Sequence, residues 1–277
     1  MNTTAPARPP RLIVFTDLDG TLLDHESYEF APARPALAAL RAAGAVLVPA
    51  SSKTAAELAE WRARLGCADA PAIVENGAGV LWPGETTAGD DAAYRRIRAA
   101  LGALPPALGA GFAGFGDWSV DEITRRTGLP AAAAARAKAR RFSEPGVWTG
   151  SAAARDAFLA ALAERGVTAR AGGRFLTLSF GASKADRMAE VSARLAPGGG
   201  VPTVALGDAP NDAEMIAAAD TGVIVANPAG PGLPPLAGEA DGRIRRTLLP
   251  GPAGWNRAIL DILDALDNTE TATGRKG

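Results

Sequence analysis

The chain has 277 residues, a formal net charge of −1 at pH 7, and a composition that is 47% hydrophobic and 21% charged. This length allows one large domain or two modest ones, each with its own core. The near-zero charge gives no global field that favours nucleic acid or an anionic membrane, so we expect neither as a partner. No apolar run is long enough to span a bilayer, and the first residues lack the apolar segment of a signal peptide.

A single cysteine, Cys67, excludes an intrachain disulfide. This cysteine usage suits a reducing compartment, so we expect a cytoplasmic protein. The segments 1–10 and 268–277 are polar or rich in small residues, and we expect both to be disordered tails.

The first part of the chain alternates strand-like and helix-like segments. Thr54 and Glu57 have the spacing of a capping box, which places a helix start after the second strand. The alternation predicts parallel strands in a three-layer α/β sheet. The segments are, in chain order, the strand "RLIVFTD", the helix "PARPALAALRAAG", the strand "AVLVPAS", the helix "TAAELAEWRARLG" and the strand-turn-strand "PAIVENGAGVLWP".

The alternation loosens after Pro83 and a different pattern follows. Helix-like and strand-like pieces are mixed there, which predicts an α+β module with antiparallel strands. The helix-like pieces are 90–103, 119–128, 130–141 and 151–165, and the strand-like pieces lie around Phe112, Phe142, Val167 and "RFLTLSF".

The alternation of helix-like and strand-like segments resumes at Ser183. We therefore expect an α/β core split into residues 11–84 and 183–267, with residues 85–182 inserted as an α+β cap. The returning segments are the helix "SKADRMAEVSARLA", the strand "VPTVALGD", the helix "NDAEMIAAAD", the strand "TGVIVANP" and the amphipathic helix "AGWNRAILDILDALD".

Polar clusters follow the predicted parallel strands at the points where the strands end. Open α/β sheets bind ligands beyond the carboxyl ends of their strands, so we expect these clusters to converge on one crevice. The clusters are Asp17 with Asp19, then Ser51, Ser52, Lys53 and Thr54, then Asp208, and finally Lys184 at the start of a returning helix.

Such a crevice would hold three carboxylates, which repel one another unless a cation lies among them. Carboxylates suit Mg²⁺, and hydroxyls with a lysine suit a phosphoryl group. His25 is the only histidine, so a carboxylate must carry out acid–base chemistry. The economical assignment makes Asp17 the nucleophile and Asp19 the general acid and base.

Two motifs resemble those of the haloacid dehalogenase-like hydrolases. "DLDGT" resembles the first motif and "GDAPND" the fourth, while Ser51 and Lys184 match the second and third. An insertion between the second and third motifs resembles subfamily IIB. The resemblance implies a Rossmann-like α/β/α core with a parallel sheet and an inserted α+β cap. It also implies a Mg²⁺ site that includes Asp17, Asp19 and Asp208, with Asp212 as a ligand or a supporting residue.

A narrower resemblance is to the mannosyl-3-phosphoglycerate phosphatases. It rests on "TDLDGTLLD", "SSKT", "ENG", "RRFSEP" and "GGRF". It implies a phosphatase for mannosyl- or glucosyl-3-phosphoglycerate, with a compatible solute as product, in a monomer or homodimer. In the cap, Gly173 would let backbone approach an anion and Arg174 would grip a carboxylate or phosphate. The substrate-binding candidates are Ser51, Ser52, Lys53, Lys184, Gly173, Arg174 and Asn211.

Other interpretations of these residues stay open. The chain could be another sugar phosphatase or a phosphomutase, or a catalytically silent module that binds phosphosugars. Asp212 could have only a structural role, with its negative charge interacting favourably with the dipole at a helix start. Lys184 could be a surface lysine, and Arg174 could be an ordinary hairpin residue. Lys53 fits a structural role as well as a functional one.

Overall fold

The computed structural model describes residues 9–86, 89–172 and 174–274. Within these ranges the strands are β1 (Ile13–Thr16), β2 (Val46–Pro49), β3 (Ala72–Val74), β4 (Gly79–Leu81), β5 (Phe112–Gly114), β6 (Glu144–Trp148), β7 (Thr168–Gly172), β8 (Phe175–Ser179), β9 (Thr203–Gly207), β10 (Thr221–Ala226) and β11 (Ile244–Pro250). The helices are α1 (Arg34–Ala42), α2 (Ala55–Leu65), α3 (Ala92–Gly102), α4 (Pro106–Gly109), α5 (Val120–Thr127), α6 (Ala131–Lys138), α7 (Ala152–Ala163), α8 (Lys184–Leu195), α9 (Ala213–Ala218) and α10 (Gly251–Gly274).

The larger sheet has five parallel strands in the order β11-β10-β9-β1-β2. β1 lies between β9 and β2, with Phe15 paired to Ala205 on one side and to Val48 on the other. All four residues of β1 are buried, which explains its continuous apolar run, since helices cover both faces of the sheet. The predicted parallel α/β sheet is confirmed.

Helices form a layer on each face of this sheet. One face packs α1, α2 and α10 in a core that includes Leu37, Leu58 and Trp255. The opposite face packs α8 and α9 through Met188 and Met215. Burial of these apolar side chains supplies the main stabilisation of the layers, at roughly 1.5–3 kcal/mol for each fully buried large side chain.

The middle of the chain forms a second sheet with antiparallel strands in the order β5-β6-β8-β7. Its core is separate from that of the parallel sheet and contains Ile97 from α3 and Phe158 and Leu162 from α7. The predicted fold class, a Rossmann-like core with an additional α+β unit, is confirmed.

The structure differs from the predicted elements in two strands. β11 was not predicted, because only Ile244 of this edge strand is buried and its sequence lacks an alternating apolar pattern. The strand expected around Phe142 begins instead at Glu144. The backbone amides of Arg141 and Phe142 donate to the carboxylate of Glu75 rather than to a neighbouring strand.

The last helix also differs from the prediction, because α10 continues to Gly274 although a disordered tail was expected from residue 268. The hydroxyls of Thr269 and Thr271 donate to carbonyl oxygens one turn earlier, and no helix breaker interrupts the segment. Of the predicted amino-terminal tail, Pro9 is exposed and Pro10 is buried. Residues 1–8 and 275–277 lie outside the described residues. None of the helices in the described ranges is long and apolar enough to cross a bilayer.

Candidate active site

The candidate site lies at the carboxyl ends of β1, β2 and β9, where neighbouring parallel strands bring their following loops together. Asp17 follows β1 and Asp208 follows β9. Carboxylate oxygens of Asp17, Asp208 and Asp212 all lie within 4.8 Å of one another, and all three residues are buried. The convergence expected from the strand ends is therefore observed for Asp17 and Asp208, whereas the third carboxylate of the cluster is Asp212 and not Asp19.

Lys184 lies in the middle of this cluster. Its Nζ is 2.7 Å from Asp17 Oδ1 and 2.7 Å from Asp212 Oδ1, and the residue is only 1% exposed. A capping box between Ser183 and Asp186 fixes the start of α8, so Lys184 is the first residue of the helix. The alternative of a surface lysine is wrong.

The electrostatics of the cluster favour an added positive charge. Burial raises the pKa of Asp17 well above its usual value, and the neighbouring carboxylates raise it further, although Lys184 opposes them. Burial alone would lower the pKa of Lys184, but Asp17 and Asp212 more than offset it and hold the pKa above its ordinary value. One ammonium among three carboxylates leaves an excess of negative charge.

Asp208 is oriented by two side chains that were not among the predicted site residues. Thr21 Oγ1 donates to Asp208 Oδ1 at 2.6 Å, and Asn227 Nδ2 donates to Oδ2 at 2.7 Å. Even so, burial raises the pKa of Asp208. Gly20 has φ +82, and a Cβ there would lie 2.4 Å from Asn227 Nδ2, so only glycine fits this turn.

A signal for both missed residues was present in the sequence. Thr21 ends the "DLDGT" motif, and Asn227 follows the strand segment "TGVIVA" in the way that Asp208 follows β9. The strand-end argument applied to β10 would have found Asn227.

Asp212 is fully buried and uses both of its carboxylate oxygens within the protein. Oδ1 accepts from Lys184, while Oδ2 accepts from the backbone amides of Asp208 at 3.2 Å and Ala209 at 3.1 Å. Asp212 therefore holds the loop that presents Asp208. Its neighbour Asn211 lies at the surface, where Nδ2 donates to Asn76 Oδ1 at 3.2 Å.

Asp19 lies outside the cluster of three carboxylates. Its Oδ2 is 2.5 Å from Lys53 Nζ, and its Oδ1 is buried without a hydrogen-bond partner among the described residues. Burial disfavours the Lys53 ammonium, but Asp19 more than offsets this, so the pKa of Lys53 lies above its ordinary value. Lys53 also lies 5.4 Å from the ring centroid of Tyr28.

The loop after β2 carries the hydroxyl candidates. Ser51 is buried, its backbone amide donates to Ile73 O at 3.0 Å, and its Oγ accepts from the amide of Lys53 at 3.4 Å. Ser52 is exposed. Thr54 caps α2 in the predicted capping box, so this residue is confirmed as a helix cap.

The candidates of the antiparallel unit are not brought to the carboxylates by any contact among the described residues. Arg174 lies in the β7–β8 hairpin, where Nη1 donates to Arg126 O at 3.1 Å. Gly173 lies outside the described residues. The hairpin does reach the neighbourhood of the site, since Arg170 Nη1 is 3.6 Å from Glu214 Oε1, two residues after Asp212.

The residues of the cluster fit a hard divalent cation. All of the clustered ligand atoms are carboxylate oxygens, which is the donor set that Mg²⁺ prefers. The unpartnered Oδ1 of Asp19 adds a buried acceptor nearby. A cation would also offset the repulsion among the carboxylates.

A cavity of about 630 Å³ lies elsewhere, at the amino-terminal end of the parallel sheet. Apolar side chains, including Leu40, Leu47 and Trp82, form most of its lining, and none of the candidate site residues lines it. Arg41 and Arg194 also line this cavity, but the carboxylate cluster lies at the carboxyl ends of the parallel strands, where open α/β sheets bind their ligands, so we assign the site to the cluster.

Comparison with known proteins gives relatives along nearly the whole chain. No protein-family model matches. A glucosyl-3-phosphoglycerate/mannosyl-3-phosphoglycerate phosphatase of Persephonella marina is 33% identical over 280 residues, covering 92% of this chain and 98% of that protein. A protein of the same name from Methanococcoides burtonii is 30% identical over 274 residues, with 92% and 98% coverage. Among solved structures, a HAD subclass IIB sugar phosphatase matches with a TM-score of 0.60 at 17% identity, covering 90% of this chain and 98% of that one.

Proposed function

Since the chain belongs to the glucosyl-3-phosphoglycerate/mannosyl-3-phosphoglycerate phosphatase family, we propose that it hydrolyses a glycosyl-3-phosphoglycerate to the glycosylglycerate and phosphate. As a member of a family of phosphatases, it is a phosphoric monoester hydrolase. The observation that carries the proposal is the buried cluster in which Lys184 bridges Asp17 and Asp212 at 2.7 Å each.

Asp17 is the nucleophile in this proposal. Its position at the end of β1 is fixed by its backbone amide, which donates to Leu206 O at 2.9 Å. Lys184 holds Oδ1, which orients the carboxylate and favours its ionised form against the effect of burial. An ionised, oriented carboxylate can attack phosphorus and take the phosphoryl group as an aspartyl-phosphate, which splits one difficult step into two.

Asp19 is the general acid and base. It follows Asp17 by two residues and its side chain is 34% exposed, at the rim where a leaving group would depart. It protonates the leaving oxygen and then takes a proton from the water that hydrolyses the aspartyl-phosphate. Lys53 holds the carboxylate of Asp19 at 2.5 Å and so supports this position.

Asp17 and Asp208 would hold a Mg²⁺ ion, which when bound neutralises charge on the phosphoryl oxygens. Thr21 and Asn227 fix the orientation of Asp208 for this role. Asp212 is fully buried, with one oxygen on the Lys184 ammonium and the other on the two backbone amides of the loop that presents Asp208, so we assign it a supporting position beside the metal.

Substrate recognition is assigned to residues around the cluster. We propose that residues 11–84 and 183–267 form the catalytic core and residues 85–182 a cap that excludes water and reads the substrate. Arg174 is the candidate for the glycerate carboxylate, because its planar guanidinium matches a carboxylate. The polar groups nearer the cluster that would hold the phosphate are Ser51, Ser52, Lys53, Lys184 and Asn211. The product would be a compatible solute of the cytoplasm.

The test is a phosphate-release screen with Mg²⁺ over glucosyl- and mannosyl-3-phosphoglycerate, sugar monophosphates and phosphoglycolate. We expect one of the two glycosyl-3-phosphoglycerates to give the highest kcat/KM. A preference for a sugar monophosphate would assign a different sugar phosphatase. Phosphoryl transfer between sugars without free phosphate would indicate a mutase, and binding without turnover would indicate a silent module.

A further inference from the structure

A strained turn lies between β3 and β4, in the "ENG" segment. Glu75, Asn76 and Gly77 all have left-handed backbone conformations, with φ values of 52°, 59° and 90°. Glutamate and asparagine adopt this region at a cost, and such strain persists only where the surroundings hold the backbone in place. The contacts of this turn therefore indicate which neighbouring segments it keeps in place.

The backbone of the turn holds the loop after β2. The amide of Glu75 donates to Lys53 O at 2.9 Å, and the amide of Asn76 donates to Ser51 O at 2.9 Å. These two hydrogen bonds fix the carbonyl groups on either side of Ser52. The turn thus sets the position of the loop that carries Lys53, the partner of Asp19.

The same turn also contacts the loops that carry Lys184 and Asn211. A Cβ at Gly77 would lie 2.1 Å from the carbonyl carbon of Ser183, so the backbones meet directly at the start of α8. Asn76 Oδ1 accepts from Asn211 Nδ2 at 3.2 Å. Three loops that carry candidate site residues therefore meet at these three residues.

The carboxylate of Glu75 holds a segment of the antiparallel unit, in the "RRFSEP" sequence. It accepts from the amides of Arg141 at 2.9 Å and Phe142 at 3.1 Å, and from Ser143 Oγ at 2.8 Å. Arg140 Nε lies 3.3 Å from Glu75 Oε2. The side chain of Glu75 is 0% exposed, so separation of the segment would leave a buried carboxylate without donors.

The segment also contacts the β2 loop directly, since Arg140 Nη1 donates to Ser52 O at 3.3 Å. Among the described residues, the other ion pairs that join residues 85–182 to the parallel-sheet unit are exposed. Arg136–Glu60 lies at 3.0 Å and Arg170–Glu214 at 3.6 Å, with all four side chains at least 38% exposed. Exposed ion pairs contribute little and break easily. The buried carboxylate of Glu75 has three hydrogen-bond donors and the Arg140 guanidinium beside it, so breaking this contact costs much more.

We propose that the turn Glu75–Gly77 is a junction that fixes the cap segment 140–143 relative to the loops carrying Lys53, Lys184 and Asn211. Glu75 is a positioning residue, which acts through these loops and does not contact the reacting atoms. The predicted effect of Glu75 on turnover rests on the proposed function. Its predicted effect on the positions of the loops is independent of that function. The buried contact stays formed while the exposed ion pairs open and close.

The test compares Glu75→Gln with Glu144→Gln as a matched control. Glu144 is also fully buried and directly follows the segment 140–143, but its partners Gly116, Arg98 and Tyr94 all lie within residues 85–182. The amide in Glu75→Gln keeps the shape but turns one acceptor into a donor facing a backbone N–H. Both variants are studied by amide hydrogen exchange at a temperature where circular dichroism shows them folded.

For Glu75→Gln we expect exchange to rise by about 10-fold or more in the segment 140–143, at Glu75 and Asn76, and in the loops 51–54 and 183–187. For Glu144→Gln we expect the increase only within residues 85–182. Two results would refute the junction: an increase in hydrogen exchange that is confined to residues 140–143 in Glu75→Gln, or equal increases in the loops 51–54 and 183–187 for both variants. If Glu75→Gln does not fold, Ser143→Ala is used in its place. This substitution removes one hydrogen-bond donor to Glu75, so we expect a smaller increase in hydrogen exchange in the same loops, and no increase there would overturn the junction.

The kinetic readout separates the junction from the proposed activity. Glu75→Gln is expected to lower kcat by about 10-fold with KM changed by less than about 3-fold, because misplaced loops affect the reacting geometry more than binding. Glu144→Gln is expected to change kcat by less than about 3-fold. An unchanged kcat in folded Glu75→Gln would refute the positioning role. If the wild type releases no phosphate from any ester, the proposed function fails, and hydrogen exchange still decides the junction.

Discussion

Replacing Lys184 with methionine should destabilise the protein strongly. The ammonium is 1% exposed and pairs with Asp17 and Asp212 at 2.7 Å each, so its removal leaves two buried carboxylates without their counter-charge. Breaking a buried ion pair from one side costs about 3–5 kcal/mol. Because two pairs share this lysine, we expect the upper part of that range for the loss in free energy of unfolding.

Lys53→Met is the matched control. Lys53 is also a lysine beside an aspartate of the site, but its partner Asp19 is 34% exposed and it has only that one carboxylate within ion-pair distance among the described residues. Solvent reaches and partly screens this carboxylate, so we expect a smaller loss than for Lys184→Met, of about 1 kcal/mol. The difference between the two variants measures the combined effect of deeper burial and of the second carboxylate partner.

The loss of stability in Lys184→Met should depend on pH, and the pKa of Asp17 gives the direction of this dependence. The pKa of Asp17 is raised by burial above the ordinary value of 3.8, and Lys184 opposes this rise. A carboxyl with a raised pKa in the folded state contributes full stability below its unfolded pKa and loses it as the pH rises through the folded pKa. Without Lys184 the folded pKa of Asp17 rises further, so the loss in Lys184→Met should be larger at pH 8 than at pH 5.

The assay is urea unfolding in metal-free buffer, followed by tryptophan fluorescence. Trp255 is a suitable reporter, since it is buried and its Nε1 donates to Thr16 Oγ1 at 3.0 Å, next to Asp17. Equal losses for Lys184→Met and Lys53→Met, or a loss in Lys184→Met that shrinks as the pH rises, would refute this reasoning.

Further predictions concern the metal, the cap and a helix start. Chelation with EDTA should abolish phosphate release and Mg²⁺ should restore it, with Ca²⁺ a poor substitute because it prefers more ligands in looser geometry; full activity after exhaustive chelation contradicts the metal site. Arg174→Ala should weaken kcat/KM for the glycosyl-3-phosphoglycerate by about 1.5–3 kcal/mol, the range for a charged hydrogen bond, and should barely affect p-nitrophenyl phosphate, which has no carboxylate. Equal kinetic losses on both substrates would exclude carboxylate recognition. Thr54→Ala should lower the free energy of unfolding by about 1 kcal/mol through loss of the α2 cap and of the hydrogen bond from Thr54 Oγ1 to Arg136 O, and an unchanged urea midpoint would refute that contribution.

The central sheet and the carboxylates could be predicted from the sequence because the signals are local. The apolar run before Asp17 and the strand before Asp208 mark two strand ends, and parallel pairing then brings the ends together. Capping boxes at Thr54 and Ser183 depend on residues three positions apart, so the sequence shows them directly. The Thr54 box was predicted on this basis, whereas the Ser183 box, with Asp186 at N3, was visible in the same way but was not identified.

The contacts that cross between distant segments could not be predicted in this way. Nothing local in "ENG" indicates that Glu75 accepts hydrogen bonds from residues 141–143, about 67 positions later. The edge strand β11 is mostly exposed and lacks the apolar alternation on which strand prediction depends. The pairing of Asp19 with Lys53 likewise depends on the packing of two loops and not on either sequence alone.

The most direct test of the central claim is to trap the phosphoryl group on Asp17. A single turnover with glycosyl-3-phosphoglycerate labelled in its phosphate, in the presence of Mg²⁺, is quenched in acid and the protein is recovered. We predict label on the wild-type protein in the peptide that contains Asp17, and neither label nor phosphate release with a folded Asp17→Asn variant. Rapid release of labelled phosphate by Asp17→Asn, or turnover by the wild type with no label on that peptide at any quench time, would contradict the account.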